Sequence, residues 1–346
     1  MIQEQADISV VLVNYKTPAL LLACIESIYA ESLSLNVEII VVDNDSQDGS
    51  EQQIKSRFEK VLWLSAGYNS GFARANNLGL QHATAAYTLI LNSDTVIKER
   101  AIEKALAFYK LKEKSTQLGF VGCKLVQFDG NVQHPSHTRL DHWGKLLLSN
   151  AFYKVLEKLF DKQRHNKRQQ QAYARKQQEH TVQHESRWLA GAFWLFRTNI
   201  CATKATQLDE DFFMYSEDEE LCLRLGRIGY KHIYYSEAYI LHADGGSSTI
   251  KETRQNQITL SEWLFIMKIY GKAAYVVFVF ITALNLFCDE LFYRQAYWRG
   301  RLTEGDLTER TLRSWRWNMV KRYFTVILFN YHRRTSSAKN FLKYGG

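Results

Sequence analysis

Ile8-Ser-Val-Val-Leu-Val-Asn-Tyr15 is an apolar run of strand length, and Thr17-Pro18 directly after it begins a pattern with helical spacing. A second apolar run, Val37–Val42, leads into the turn-forming cluster Asp43-Asn-Asp-Ser-Gln-Asp-Gly-Ser50. The alternation continues with two more predicted strands and a helix, at Val61–Leu64, Tyr87–Leu91 and Phe72–His82. Continuous apolar strands that alternate with helices predict an α/β fold, a mostly parallel sheet flanked by helices.

Polar side chains follow three of these predicted strands at the point where each strand ends. Asn14-Tyr15, Asp43 and Asp94 occupy such positions. Ligands of open parallel sheets bind outside the carboxyl ends of the strands. The sequence therefore predicts that these three segments meet at one rim of the sheet.

Two acidic motifs lie far apart in the chain, Leu89-Ile-Leu-Asn-Ser-Asp94 and Phe212-Phe-Met-Tyr-Ser-Glu-Asp218. A carboxylate just beyond a buried strand can hold a divalent cation, which neutralises a departing diphosphate. A carboxylate among aromatic residues can take a proton from a hydroxyl. Together they favour group transfer from a nucleotide diphosphate to an alcohol, although Glu217–Glu220 could instead be an acidic helix N-terminus.

The order of these motifs resembles that of the family 2 inverting glycosyltransferases, which have the GT-A fold. Within that family the chain is most similar to the bacterial rhamnosyltransferase branch, over about residues 6–250. The segments that carry the resemblance are Val13-Asn-Tyr15, Val42–Ser50, Asn69–Asn76, Leu91–Asp94, Gly191-Ala192, Phe212–Asp218 and His242.

The resemblance implies a nucleotide pocket in which Tyr15 stacks on the base and Asp43 accepts a hydrogen bond from the base or ribose. The full set of residues that it assigns to this pocket is Tyr15, Asp43, Asn69, Gly71, Asn76 and Asn92.

The resemblance also implies a divalent metal, Mg²⁺ or Mn²⁺, bound by Asp94 with help from His242. Asn92 replaces the first acid of the family's Asp-x-Asp motif, so one strong carboxylate remains for the cation. The diphosphate would then supply most of the other ligands.

The catalytic base implied by the resemblance is Asp218, with Glu217 beside it holding position or binding the acceptor. The acceptor side would include Gly191, Ala192 and Tyr215. The expected donor is dTDP-L-rhamnose, followed by UDP-hexoses, UDP-N-acetylhexosamines and UDP-galactofuranose. The expected acceptor is a lipid-linked saccharide or a lipopolysaccharide precursor.

The charge of the chain is unevenly distributed. The net charge is +8, and residues 301–346 hold ten Lys or Arg against three Asp or Glu. An apolar stretch of sixteen residues, Ala273–Cys288, precedes this basic region and is shorter than the ~20 residues of a bilayer span. A basic region with Trp315 and Trp317 favours an anionic membrane surface over nucleic acid as partner.

The five cysteines are scattered without metal-ligand spacing, and the N-terminus lacks the basic flank of a signal peptide. These features predict a cytoplasmic protein that is peripheral on the inner face of the bacterial membrane.

The expected domains are a glycosyltransferase domain over 1–255 and a helical, membrane-associating region over 256–346. Within the first domain, 1–100 would bind nucleotide and 101–255 acceptor, with a polar, mobile insert at 161–187.

Two other functions remain open at this point. A nucleotidyltransferase would need a glycine-rich loop with a basic residue near the N-terminus, which residues 8–18 lack. The other is a non-catalytic protein that binds membrane surfaces through its C-terminal region.

Overall fold

The computed structural model describes residues 5–133, 135–137, 180–243 and 251–298. Within these ranges the chain forms eleven strands. Their bounds are β1 Ile8–Asn14, β2 Val37–Asp43, β3 Leu62–Ser65, β4 Tyr87–Asn92, β5 Thr95–Ile97, β6 Leu118–Val126, β7 Ser136–His137, β8 His184–Ser186, β9 Trp188–Leu189, β10 Phe193–Arg197 and β11 Lys231–His242.

Six helices and one 3₁₀ turn accompany these strands in the described part of the chain. The helices are α1 Pro18–Glu31, α2 Ser50–Arg57, α3 Gly71–Leu80, α4 Ala101–Lys112, α5 Glu217–Arg227 and α6 Lys251–Trp298, and the 3₁₀ turn is Thr198–Cys201. Pro18 occupies the first turn of α1, where its fixed φ angle and missing N–H are tolerated.

The central sheet has the strand order β3-β2-β1-β4-β10-β6-β11-β5, and β8 also pairs with β11. Strands β1 to β4 run parallel, as do β6 and β11. Strands β1, β2 and β4 are almost fully buried, which agrees with their continuous apolar sequences. The predicted α/β fold with a mostly parallel sheet and flanking helices is confirmed.

Strand β10 departs from the sequence-based expectation. The apolar run Trp188–Phe196 reads as one strand, but it forms β9 and β10, which a turn at Gly191 separates. Strand β10 then runs antiparallel to β4, with Phe193 opposite Leu91. Because β10 begins beside the end of β4, the Gly191 turn lies at the rim where Asp94 follows β4.

Strand β11 also differs from its sequence pattern. The sequence indicates two short segments, His232–Tyr235 and Tyr239–His242, whereas the structure has one strand of 12 residues. Its register against β6 shifts between Tyr235 and Tyr239, and this irregularity absorbs the polar residues between them. The strand thereby carries His242 to the rim.

The chain divides into two compact units, and within the described residues the division falls between Ile258 and Thr259 in α6. Helix α6 is interrupted at Gly271, where the backbone has φ 88° and ψ 170°. Its stretch Gln257–Asn285 is long and apolar enough to cross a membrane by length and composition. Most of the predicted insert 161–187, and all of the basic region 301–346, lie outside the described residues.

His232 joins three elements in the interior of the first unit. Its Nδ1 accepts a hydrogen bond from the Phe120 N–H at 3.1 Å, and its Nε2 lies 2.9 Å from the carbonyl oxygen of Cys222 in α5. The imidazole also stacks on the Phe120 ring, with 5.1 Å between centroids. Burial lowers the pKa of His232 to about 4, so the ring is neutral at physiological pH.

This burial predicts a pH dependence of folding stability. An unfolded histidine gains its proton below about pH 6.5, whereas folded His232 stays neutral down to about pH 4. Stability should therefore fall by on the order of 3 kcal/mol as pH drops through this window. Urea titrations from pH 7.5 to 4 should show a smaller fall for His232→Gln than for the wild type. His82→Gln, at an exposed histidine of α3's C-terminal turn, is the control. Equal slopes in wild type and His232→Gln would contradict the assignment.

Candidate functional site

The ends of β1 and β2 are joined by a buried polar network. Asn14 Nδ2 donates to Asp43 Oδ1 at 2.8 Å and to Ser46 Oγ at 3.1 Å. Ser46 in turn donates to Asp43 through both its hydroxyl and its backbone N–H. Asp43 is 9% exposed and already receives these bonds, so its carboxylate is held rigidly at the rim.

Tyr15 lies half-buried beside this network. The ammonium group of Lys16 is 5.4 Å from the centroid of the Tyr15 ring. An aromatic face with a neighbouring cation suits a nucleobase and its phosphates. The pair therefore marks this edge of the rim as a candidate nucleotide pocket.

Asn44 connects the end of β2 to the turn before α3. Its Oδ1 accepts from the N–H and hydroxyl of Ser70, and its Nδ2 donates to the Gly71 carbonyl at 3.0 Å. Asn69 Oδ1 accepts from the Gly71 N–H at 3.3 Å. The sequence pattern does not single out Asn44, because its role depends on contacts with a turn 26 residues away.

Gly71 is the point where α3 touches the second acidic motif. The Phe72 N–H donates to the Phe213 carbonyl at 2.7 Å. A Cβ atom on Gly71 would lie 2.1 Å from that carbonyl oxygen, and the glycine has φ +78°. Only glycine satisfies both demands. Gly71 therefore has a structural task in addition to its expected place in the nucleotide pocket.

Asn76 is buried on α3 one turn later, with 1% of its surface exposed. Its Nδ2 donates to the Phe72 carbonyl at 2.9 Å, and its Oδ1 has no hydrogen-bond partner in the structure. A nucleotide contact through this amide would require a local rearrangement, so its expected role stays a prediction.

His242 is the point where the residues expected to lie beside a metal come together; Asn92, Asp94 and His242 are called the metal side of the rim. His242 Nε2 lies 3.3 Å from Asp94 Oδ1 and 3.2 Å from Asn92 Nδ2. The imidazole Nδ1 is 2.6 Å from Oε1 of Gln133, a residue that the sequence motifs did not indicate. The side chains of Asp94 and His242 are only 13% and 11% exposed.

These side chains fit a cation that is shared with a bound diphosphate. Asp94 supplies one carboxylate and His242 one imidazole, and the remaining ligands of Mg²⁺ or Mn²⁺ would be phosphate oxygens and water. In the described ranges no three His, Cys, Asp or Glu side chains cluster to hold a metal. Among the described residues, Asp94 and His242 are the two side chains at this point of the rim that could serve as ligands.

Asp218 lies in the first turn of α5 and is anchored by backbone N–H groups. Its Oδ1 accepts from the Glu219 N–H at 2.8 Å, and its Oδ2 accepts from the Gly191 N–H at 3.3 Å. A Cβ atom on Gly191 would approach the Phe72 ring at 3.3 Å and Asp218 Cβ at 3.6 Å. Gly191 thus lies directly between α3 and Asp218.

Both acids of this motif are poor at losing their protons. Burial, together with the charge of Glu219, raises the pKa of Asp218, whereas Trp188 and two backbone N–H groups lower it in part. Burial and the adjacent Asp218 raise the pKa of Glu217, whose Oε2 is buried without a hydrogen-bond partner. A carboxylate with raised pKa is a stronger base once ionised.

The turn before α5 is strained. Tyr215 and Ser216 both have left-handed backbone angles, with φ 71° and 63°. Such residues cost roughly 1–3 kcal/mol each and persist where neighbours hold them. Here Gln257 Nε2 donates to the Met214 carbonyl at 3.2 Å, and Phe72 holds Phe213. The strain fixes the direction in which Asp218 enters the rim.

Two hydrogen bonds link the metal side to the acid side. The Asn92 N–H donates to the Ala192 carbonyl at 3.1 Å, and the neighbouring Gly191 N–H donates to Asp218. The structure therefore brings Asn92, Asp94, Gly191, Ala192, Asp218 and His242 to one rim.

The family model of "Glycosyl transferase family 2" matches residues 9–202. The chain belongs to this family. The matched range contains β1 to β4, the Asn69–Gly71 turn and Asp94, and the second acidic motif follows it.

Among proteins similar to this family member, the glycosyltransferase GlyG of Streptococcus pneumoniae is 32% identical over 115 residues. That match spans 32% of this chain and 38% of GlyG. The N-acetylglucosaminyl-diphospho-decaprenol L-rhamnosyltransferase of Mycobacterium tuberculosis is 26% identical over 229 residues, which are 62% of this chain and 70% of that protein.

Among solved structures, the chain is similar to the mannosyltransferase PcManGT of Pyrobaculum calidifontis in complex with GDP-Man and Mn²⁺. The two share 14% identity with a TM-score of 0.52, over 95% of this chain and 88% of that one. This similarity shows the GT-A fold, which confirms the expected fold family.

The contact at Gly71 yields a test of how the rim is assembled. Gly71→Ala should destabilise the protein and weaken nucleotide binding, because the new methyl group displaces Phe213. Gly67→Ala is the matched control, since Gly67 has φ +73° but no atom within 4 Å of a Cβ. The control should cost only the ~1–2 kcal/mol of the left-handed backbone. Denaturant titrations of both variants that gave equal losses would show that the Phe213 contact is unimportant.

Proposed function

We propose that this family 2 glycosyltransferase is an inverting enzyme that transfers a sugar from a nucleoside diphosphate to an acceptor hydroxyl, with Asp218 as the base. The observation that carries the proposal is the Asp218 carboxylate, partly exposed and anchored by backbone N–H groups on the rim that also holds Asp94. In this proposal the nucleotide pocket is lined by Tyr15, Asp43, Asn69 and Gly71.

In the proposed reaction Asp218 removes the proton of the acceptor hydroxyl as its oxygen attacks the anomeric carbon. The new C–O bond forms on the face of the sugar opposite the diphosphate. The bond between the anomeric carbon and the diphosphate oxygen breaks, and the nucleoside diphosphate leaves with the electron pair. A general base contributes ~10²–10⁴-fold to such a step. Glu217, whose pKa is raised by burial, would hold its proton and so limit the repulsion beside ionised Asp218.

A cation at Asp94 and His242 would supply charge stabilisation for the departing diphosphate. Asp94 would hold that cation through its carboxylate, and the Lys16 ammonium beside Tyr15 would be a second positive charge near the nucleotide end of the rim. Neutralisation of the diphosphate by a cation and a lysine together suits a site with a single strong carboxylate.

We infer dTDP-L-rhamnose as the donor, because the motif order resembles rhamnosyltransferases and one relative is named as an L-rhamnosyltransferase. UDP-hexoses, UDP-N-acetylhexosamines and UDP-galactofuranose are the alternatives. The acceptor would be a lipid-linked saccharide in the synthesis of a cell-surface polysaccharide or lipopolysaccharide, since the same relative is named for a diphospho-decaprenol substrate. Gly191, Ala192 and Tyr215 would face this acceptor.

Nucleoside diphosphate release from a panel of these donors, with Mg²⁺ or Mn²⁺, tests the proposal. The wild type should turn over dTDP-L-rhamnose, and Asp218→Asn should lower kcat by ~10²-fold or more while it still binds donor. Wild-type kcat should fall on the acid side at a higher pH than an exposed aspartate would cause, because burial raises the pKa of Asp218. Glu219→Gln, the adjacent carboxylate, should retain most of the turnover. Near-normal turnover by Asp218→Asn would exclude Asp218 as the base.

We further propose that the second unit binds an anionic membrane through one face of α6. From Ala273 to Phe287, where the structure describes side-chain exposure, the large exposed side chains are apolar: Val276, Val277, Phe280, Leu284 and Phe287, of which Phe280 is 67% exposed. The polar residue Asn285 is buried on the same helix. Tyr275, Phe278 and Val279 are buried in the same stretch, so it is apolar on its exposed side as well as its buried side, which fits contact with lipid.

The exposed face extends over 273–287, which is about 21 Å at ~1.5 Å per residue and shorter than the ~30 Å hydrocarbon core. Shallow insertion in the plane of one leaflet fits this length, and the net +7 of residues 301–346 would add attraction to anionic lipid. The protein would then be peripheral on the inner face of the cytoplasmic membrane.

Sedimentation of the full chain with anionic vesicles should show binding that weakens with added salt. The double substitution Phe280→Ser and Phe287→Ser should lower the partition coefficient by ~10²-fold or more, since each phenyl ring that enters lipid contributes about 1.5–3 kcal/mol. Phe128→Ser, at a 60% exposed phenylalanine of the first unit, is the control and should bind normally. Equal binding of all three proteins, or self-association lost with the same substitutions, would point to a protein partner for this face instead.

A further inference from the structure

Gln133 contacts His242 at both ends of its side-chain amide. Its Oε1 lies 2.6 Å from His242 Nδ1, and its Nε2 donates to the His242 carbonyl at 3.3 Å. The backbone of this segment is itself fixed, because the Gln133 N–H donates to the Leu125 carbonyl at 2.9 Å. Gln133 is therefore a rigid clamp on the end of β11.

The two contacts together determine which way the amide faces. A carbonyl oxygen only accepts, so the amide nitrogen must be the group that faces the His242 backbone. The amide oxygen then faces Nδ1, and since that oxygen cannot donate, Nδ1 must carry a proton. In the neutral imidazole this leaves the lone pair on Nε2.

The Nε2 atom faces the metal side of the rim. Asn92 Nδ2 lies 3.2 Å away and can donate to the Nε2 lone pair, and Asp94 Oδ1 lies 3.3 Å away. A lone pair and a carboxylate oxygen at this separation repel each other unless a positive charge lies between or beside them. Their convergence is the arrangement expected of two ligands that share a cation.

We propose that Gln133 is a positioning residue that fixes the tautomer and direction of His242, so that Nε2 and Asp94 converge on the cation that accompanies the donor diphosphate. This inference rests on the proposed function, because it assigns the residue that prepares the same site. Gln133 touches neither the donor nor the acceptor in this proposal and acts only through His242.

The first test measures the tautomer without any metal. Two-dimensional ¹⁵N NMR of the full chain should show the His242 ring with its proton on Nδ1, and the His242→Gln spectrum assigns the signal. Gln133→Leu should lose this preference, because leucine fills the space but cannot accept. Gln133→Glu should restore it, since its carboxylate oxygen accepts from Nδ1. Gln127→Leu, in the same loop-forming segment, should leave it unchanged.

The second test measures Mn²⁺ affinity in the presence of dTDP, by the electron paramagnetic resonance signal of free Mn²⁺. Gln133→Leu should weaken binding by on the order of 10–100-fold, the usual loss for a partner of a metal-binding histidine. Gln133→Glu and Gln127→Leu should remain within a few-fold of the wild type. Thermal melts should show all three variants folded.

The proposal is overturned if Gln133→Leu keeps both the tautomer and the Mn²⁺ affinity of the wild type, or if Gln133→Glu fails to restore the tautomer while folded. A wild type that binds no Mn²⁺ would contradict the metal part of the proposed function. The NMR comparison would still decide whether Gln133 orients His242.

Discussion

The hydrogen bond from the Asn92 N–H to the Ala192 carbonyl holds the candidate site together. On one side of it, β4 continues to Asp94. On the other, the Gly191 N–H reaches Asp218 at 3.3 Å. The bond continues the antiparallel pairing of β10 with β4, so the sheet itself sets the separation between the two acids. Side-chain flexibility has little influence on it, which is the preorganisation that a transfer reaction needs.

A second constraint comes from α3. The Phe72 N–H holds the Phe213 carbonyl, and this contact exists only because Gly71 has no Cβ atom. The aromatic run is thus pinned before it enters the left-handed turn at Tyr215 and Ser216. The strain of that turn and the partial burial of Asp218 both cost folding free energy. The packing of the surrounding core, which includes β1 to β4, offsets this cost. The result is an Asp218 carboxylate that is held in a fixed direction at the rim.

The sequence predicts the parts of this molecule that depend on local pattern. Continuous apolar runs identify β1, β2 and β4, and the ends of these strands identify Asp43 and Asp94. The same criterion fails at Gly191, because Ala190, Gly191 and Ala192 are small and do not interrupt an apolar run. The sequence does not predict the roles of Asn44 and Gln133 for another reason. Each acts through partners 26 or 109 residues away, and a polar residue in a loop carries no sign of such a contact.

The replacement of the first Asp-x-Asp acid by Asn92 is consistent with the rest of the metal side. An aspartate at this position would place a second carboxylate against the Nε2 lone pair of His242. An ionised carboxylate has no hydrogen to donate, so its oxygens could only repel that lone pair. The Asn92 amide nitrogen lies 3.2 Å from Nε2 and can instead donate to that lone pair until a cation takes its place, while in our proposal Gln133 keeps the proton on Nδ1. The hydrogen-bonding groups of Asn92, His242 and Gln133 are therefore compatible with one another. In the proposed site Asp94 would be the single negative ligand among the described residues, so we expect cation affinity to depend on the diphosphate and to rise when the donor binds.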